Sequence, residues 1–193
     1  MYEYIKGKIA VLKPAQVIIE ANSIGYVISI SLHTYTLLSG REEVRLFLHQ
    51  AIREDAHLLF GFAEENEREL FRLLISVNGI GVNTAIMMLS SLTPDEIKAA
   101  ILSENVRLLQ SIKGIGAKTA QRAIIDLKDK VGKASVSGQF LSSPDNTIRN
   151  EALSALVMLG FTKKTVEKEI DKILAAQSDL SVEEVIKQAL KSL

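Results

Sequence analysis

The chain has 193 residues, of which 47% are hydrophobic and 24% charged, the composition of ordinary globular domains. Lys and Arg number 23 and Asp and Glu 23, so the formal net charge is zero, a mark against a nucleic-acid binder until the charges are placed along the chain. No cysteine is present, which excludes disulfides, thiol nucleophiles, iron–sulfur clusters and Cys-ligated zinc. His33, His49 and His57 form no metal-ligating pair. No apolar run approaches the roughly 20 residues that cross a bilayer, and the N-terminus has no signal-peptide core. A soluble cytoplasmic protein without membrane contact, metal or cofactor is expected.

Residues 1–63 read as five short strands. Tyr2–Leu12, Val17–Ile19, Tyr26–Leu32, Val44–Leu48 and Ala56–Phe62 are rich in β-branched or aromatic residues. Turn signals at Lys13-Pro14, Asn22–Gly25 and Ser39–Arg41 separate the first four. Five strands suit an OB-like β-barrel better than a sandwich, which needs about seven. Arg53, Glu54 and Asp55 fall between the fourth and fifth strands, at the exposed tip of a hairpin. Seven of the ten aromatics lie in this stretch. They are core or interface residues on one reading and base-stacking residues on another.

From Glu64 the period becomes helical. Leu70, Phe71, Leu74 and Ile75 share one face. Thr93-Pro94-Asp95-Glu96 spells a capping box with proline in the first turn. Residues 64–131 therefore form an all-α domain of short helices. Residues 132–146 are Ser/Gly-rich with one proline and read as a flexible linker. Residues 147–193 predict three helices: Thr147–Leu159 stopped by Gly160, a second capped by Thr162 and ending at about Ala175, and a third opened by the box Ser181–Glu184.

The helical middle contains a repeat at an offset of 35: Arg72–Ala85 aligns with Arg107–Ala120, with nine of 14 positions identical. Each copy reads helix, Gly-Ile-Gly, helix. Gly79 and Gly114 can end the first helix in a left-handed conformation. Gly81 and Gly116 let a ligand approach the backbone. Ile80 and Ile115 would plug each turn into its own core. The free N–H groups opening the second helix, with the helix dipole, suit a phosphate. The spacing fits neither a P-loop nor a dinucleotide fingerprint. These are tandem helix-hairpin-helix motifs, whose amides grip phosphates without reading sequence. The candidate DNA phosphate contacts are Gly79, Ile80, Gly81, Asn83, Thr84, Gly114, Ile115, Gly116, Lys118, Thr119 and Arg122. The second copy has Lys113 and Lys118 where the first has Asn78 and Asn83, so it should grip harder.

Placed along the chain, the charges are far from evenly mixed. Residues 105–133 carry seven basic against two acidic side chains, a net +5, and residues 54–69 carry six acidic against one basic, a net −5. Glu54 and Asp55 have three readings: a solvated turn, a metal-binding nuclease pair, or charges that repel phosphates. A plain adaptor, with the hairpins as protein contacts, is the third functional class beside a DNA scaffold and a nuclease.

Arg53-Glu54-Asp55-Ala56 with Leu58–Phe62, Asn78–Gly81, Gly114–Arg122 and Ala155–Phe161 together resemble the RuvA family, whose members recognise Holliday junctions in the RuvAB branch-migration complex. The resemblance covers the whole chain. It implies a mixed, multi-domain fold whose C-terminal three-helix domain is similar to ubiquitin-associated domains. It implies an acidic pin at Glu54 and Asp55, and a homotetramer, with pairing into an octamer left open. It implies four-way junction DNA as ligand and a RuvB-type hexameric ATPase docked through residues 147–193. A RuvC-type resolvase is a further partner, and DNA recombination, repair and the SOS response are the setting. No catalytic residue or ATPase of its own is implied. Family members often continue the first turn with Pro-Lys, whereas this chain has Val82-Asn83.

Overall fold

Alternation of apolar and polar residues builds the first sheet. The computed structural model describes residues 2–137, 144–177 and 180–193. Strands β1 (Tyr4–Lys13), β2 (Gln16–Ala21) and β3 (Ile24–Ile30) form an antiparallel meander. Val17, Ile19, Ile28 and Ile30 point inward at every second position and are fully buried. The β2–β3 turn is Asn22-Ser23, both at positive φ (51° and 63°), as a two-residue hairpin requires. Strands β4 (Glu43–Ile52) and β5 (His57–Phe62) close the barrel in the order β1-β2-β3-β5-β4, with β3 and β5 parallel. β4 returns to β1, so no edge is left open. This is the expected five-stranded OB-like barrel.

One element was not expected. The third strand stops at Ile30, and Ser31 opens helix α1 (Leu32–Leu38). The reason is a cap: Ser31 Oγ accepts the Thr34 N–H at 3.0 Å.

Five helices follow: α2 (Glu65–Ile75), α3 (Val82–Ser91), α4 (Pro94–Leu102), α5 (Val106–Gln110) and α6 (Ala117–Ser137). α4 starts at the expected capping box, with both reciprocal bonds present. The helices bury Leu70, Phe71, Leu74, Leu89, Ile101 and Leu127 in one core. Phe60 and Phe62 of β5 enter that same core, their rings 5.4 and 5.0 Å from Phe71. The expected boundary at 63/64 thus marks a change of secondary structure, not of core.

The reading of 132–146 as a linker needs correction at both ends. α6 runs on to Ser137, and helix α7 begins at Pro144. Val131, fully buried, anchors α6 to the core, and Lys133 and Ala134 are good helix formers. Pro144 suits a first helical turn. Residues 138–143, the middle of the expected linker, lie outside the described residues.

The chain divides into two compact units, residues 1–136 and 137–193. The second contains α7 (Pro144–Met158), α8 (Lys163–Ala176) and α9 (Val182–Ser192) around Leu156, Val166, Ile170 and Val185. Gly160, at φ +99°, ends α7 with paired 6→1 and 5→2 type bonds: Phe161 N–H to Leu156 O (3.2 Å) and Gly160 N–H to Val157 O (3.0 Å). Arg149 forks onto Asp171 at 2.6 and 3.0 Å, tying α7 to α8. Thr162 sits at the start of α8, but its hydroxyl meets that of Thr165 at 2.7 Å instead of a backbone N–H. Among the described residues no helix is long and apolar enough to cross a membrane.

Candidate nucleic-acid interface

The two turns share one hydrogen-bond pattern, with an added Ser111 N–H to Arg107 O bond of 3.1 Å in the second. In the first hairpin, Ser76, Val77 and Ile80 N–H groups donate to Leu73, Leu74 and Val77 carbonyls at 3.2, 3.1 and 3.0 Å. In the second, Ser111, Ile112 and Ile115 donate to Leu108, Leu109 and Ile112 at 3.3, 3.3 and 3.1 Å. Ser76 and Ser111 hydroxyls each donate to the carbonyl three residues back at 2.7 Å. Gly79 and Gly114 adopt φ of +97° and +93°. They do not cap α2 and α5 directly, as the spacing suggested. Those helices end at Ile75 and Gln110, and the glycines reverse the chain after one further hydrogen-bonded turn.

The second glycine of each turn behaves differently. Gly81 is extended, at φ −85° and ψ 171°, which any residue can adopt. A Cβ at Gly81 or Gly116 would meet nothing within 4 Å. Neither backbone strain nor internal packing demands glycine there; the space it keeps clear lies outside the chain. The N–H groups at the start of α3 and α6 face that space without intrahelical partners and carry the positive end of the helix dipole.

The other candidates gather around these turns. Ile80 and Ile115 are 4% and 6% exposed and plug the turns into the core. A Cβ on Gly79 would lie 3.6–3.7 Å from the Thr119 hydroxyl and methyl, so the first turn rests on the start of α6 and the hairpins stand side by side. Thr84 and Thr119 are half-buried, while Asn83, Lys118 and Arg122 are exposed. Lys118, Arg122 and Asp126, spaced by four on one face of α6, line an open concavity together with Gln121 and Ile125. Lys113 is exposed beside the second turn. Lys128 does not belong to this free positive set, because it pairs with Glu104 at 2.5 Å. That pairing holds the Glu104 carboxyl below its ordinary range and lifts the Lys128 ammonium.

In the barrel, the Arg53 N–H closes the β4–β5 turn on Ala56 O at 2.8 Å. Glu54 and Asp55 are exposed there. Among the described residues, no three His, Asp or Glu side chains come together to hold a metal. The remaining acids of residues 54–69 are not one surface patch. Glu67 is fully buried, and Glu65 and Glu69 surround Arg68, itself 2% exposed, at 2.9 and 3.4 Å. Arg68 also donates to the Glu3 carboxylate, and to the Glu3 carbonyl at 3.1 Å, which holds the Glu3 carboxyl low. The barrel aromatics divide as well: Phe60 and Phe62 are core, whereas Tyr2 and Tyr4 are half-exposed, with Arg45 stacked 3.9 Å above the Tyr4 ring.

A buried cluster around Glu67 lies outside the residues that the motifs single out. Its carboxylate accepts hydrogen bonds from the Ser31 hydroxyl and from the Thr34 hydroxyl at 2.6 Å. Burial pushes its carboxyl above the ordinary range, and the two hydroxyls pull it back in part. A signal was present: Glu67 precedes Leu70, Phe71 and Leu74 by three, four and seven positions, which places it on the buried face of α2.

A closed barrel fused to paired, amide-lined helical turns defines a helix-hairpin-helix protein of barrel-linked type. The RuvA N terminal domain family matches residues 1–61, the SAM-like helix-hairpin-helix tandem matches 71–129, and the RuvA C-terminal domain matches 147–193. The chain is 51% identical over 193 residues to the Holliday junction branch migration complex subunit RuvA of Christiangramia forsetii, covering 100% of both chains. It is 53% identical over 193 residues to the protein of the same description from Flavobacterium psychrophilum, and 48% identical over 201 residues to that of Bacteroides fragilis, again over 100% of each. The chain belongs to the RuvA family.

Proposed function

We propose that this chain is a non-enzymatic scaffold for branch migration of Holliday junctions. It binds four-way DNA without sequence preference, as a homotetramer, and couples to a RuvB-type hexameric ATPase through residues 147–193. A RuvC-type resolvase acts on the same complex, and the cytoplasm is its place of work. The observation that supports this reading best is the pair of turns at Gly81 and Gly116, where glycine serves no internal need. Their amides, with Thr84 and Thr119, take phosphates from the arms, and Lys118 and Arg122 add cations on the second hairpin. Relatives described as branch migration complex subunits over their whole length support the assembly.

Glu54 and Asp55 act by repulsion. Unit charges about 6 Å apart interact by roughly 0.7 kcal/mol in water and about 3 kcal/mol at an effective dielectric of 20. Four subunits bring eight such carboxylates to one crossover. The double variant Glu54→Gln with Asp55→Asn is expected to bind junctions equally well or more tightly while altering the rate of motor-driven branch migration. A tenfold loss of junction affinity at fixed salt would contradict the repulsive role.

The phosphate-grip reading is tested by salt titration. Each phosphate contact releases counterions, so log affinity falls with log salt at a slope of about 0.9 per contact on duplex. Lys118→Ala is expected to weaken binding and to flatten the slope by about one unit. An unchanged slope would assign Lys118 to a solvated helix face.

A further inference from the structure

We infer that Glu67 is a positioning residue for junction selectivity, holding α1 and the barrel at the angle that lets the tip at residues 53–55 and both hairpins meet one four-way junction. The inference rests on the function proposed above.

The joint is built around one carboxylate. Glu67, fully buried on α2, receives the hydroxyls of Ser31 and Thr34, both fully buried at the start of α1. Neither hydroxyl is free to turn away. Ser31 Oγ also accepts the Thr34 N–H, and Thr34 Oγ1 accepts the N–H of Ala63 at 3.1 Å, in the link from β5 to α2. The next residue ties α2 to other strands of the barrel. Arg68 reaches Glu3, ahead of β1, and lies 5.2 Å over Phe47 of β4, the strand that leads to the tip. α1 is also held from the second helix of the first hairpin, since Leu32 N–H donates to Ser90 Oγ at 3.1 Å. The same short helix is therefore gripped by both α2 and α3.

Stability alone does not call for this chemistry. Glu67 shares its face with Leu70, Phe71 and Leu74, where an apolar side chain of similar size would pack at less desolvation cost. A hydrogen-bonded carboxylate does what an apolar contact cannot: it fixes direction. Direction matters because α2 is a lever. From Glu67 to the end of α2 at Ile75 is roughly 12 Å at 1.5 Å per residue, so a swing of about 10° moves the first turn by about 2 Å, beyond what a hydrogen bond to phosphate tolerates. A single hairpin on linear duplex can follow such a swing by moving along the DNA. A tip and several hairpins on one crossover cannot.

The test compares full-length Glu67→Gln, Thr34→Val and Thr34→Ser with the parent chain, measuring thermal unfolding and affinity for four-way and linear duplex DNA at one salt concentration. Glu67→Gln and Thr34→Val are expected to keep linear-duplex affinity within twofold and to lose about tenfold of the preference for four-way DNA. Thr34→Ser, which keeps the hydroxyl, should retain the preference. A purely structural role predicts a lower melting temperature with both affinities unchanged or reduced by one factor, and that result overturns the inference. Should Glu67→Gln fail to fold, the contrast of valine and serine at position 34 decides. A parent chain with no preference for four-way DNA would bring down the functional reading and this one with it. Variants that keep the parent's preference would bring down only the role of Glu67.

Discussion

Valine at both Gly81 and Gly116 is expected to leave a folded protein whose DNA affinity has dropped at least a hundredfold. The fold should tolerate the change. The backbone at Gly81 is already in the extended region, and a Cβ at either position meets nothing within 4 Å. The cost is that of a poor N-cap residue, about 1 kcal/mol per site. The ligand should not tolerate it. A branched side chain would stand where a phosphate must approach the amides, and a hydrogen bond to a charged group contributes about 1.5–3 kcal/mol. Losing one in each hairpin exceeds the roughly 2.7 kcal/mol that corresponds to a hundredfold. Circular dichroism melts alongside binding titrations check both halves. Valine at Gly114 should fail differently, by straining a backbone at φ +93°. Near-normal affinity in the folded double valine variant would show that the hairpins contact something other than phosphate.

The second large effect concerns the motor. A chain ending at residue 137 is expected to hold four-way DNA within about threefold of the full-length affinity and to give no stimulation of a RuvB-type ATPase. The barrel core and the helical core lie wholly in the first unit, and the second unit has a core of its own. The cut belongs after α6. Ending at 131, where composition shifts, would leave the buried Val131 at a frayed terminus. Full motor stimulation by the shortened chain would remove the docking role from residues 147–193.

Much of this organisation is legible in the residues. The alternation of Val17, Ile19, Ile28 and Ile30 specifies inward-facing strands, and the nine residues of 14 that Arg72–Ala85 shares with Arg107–Ala120 specify two hairpins of one geometry. The capping boxes at Thr93 and Ser181 mark helix starts to the residue. What escaped has a common cause, the dependence of local structure on distant partners. α1 follows a strand-like run, and only Ser31 as a cap reveals it. The partners of Glu67 lie 33 and 36 residues away, beyond any local pattern. Serine-rich composition hid the end of α6, which Val131 anchors to a core assembled elsewhere. Net charge is the sharpest instance. A sum of zero concealed free cations on the second hairpin, an exposed acidic pair at Glu54 and Asp55, and acids such as Glu65 and Glu69 that are spent on a buried arginine.

The proposed scaffold binds crossed DNA selectively and leaves it intact. The most direct measurement is a gel-shift titration of the purified full-length chain at about 150 mM salt, where long-range surface attraction is screened. It compares a four-way junction with a linear duplex of the same arm sequence, with and without magnesium. Binding of the four-way form is expected to be at least tenfold tighter in both conditions, with every strand uncut. Equal affinity for the two DNAs, or magnesium-dependent cleavage at the crossover, would contradict the scaffold role.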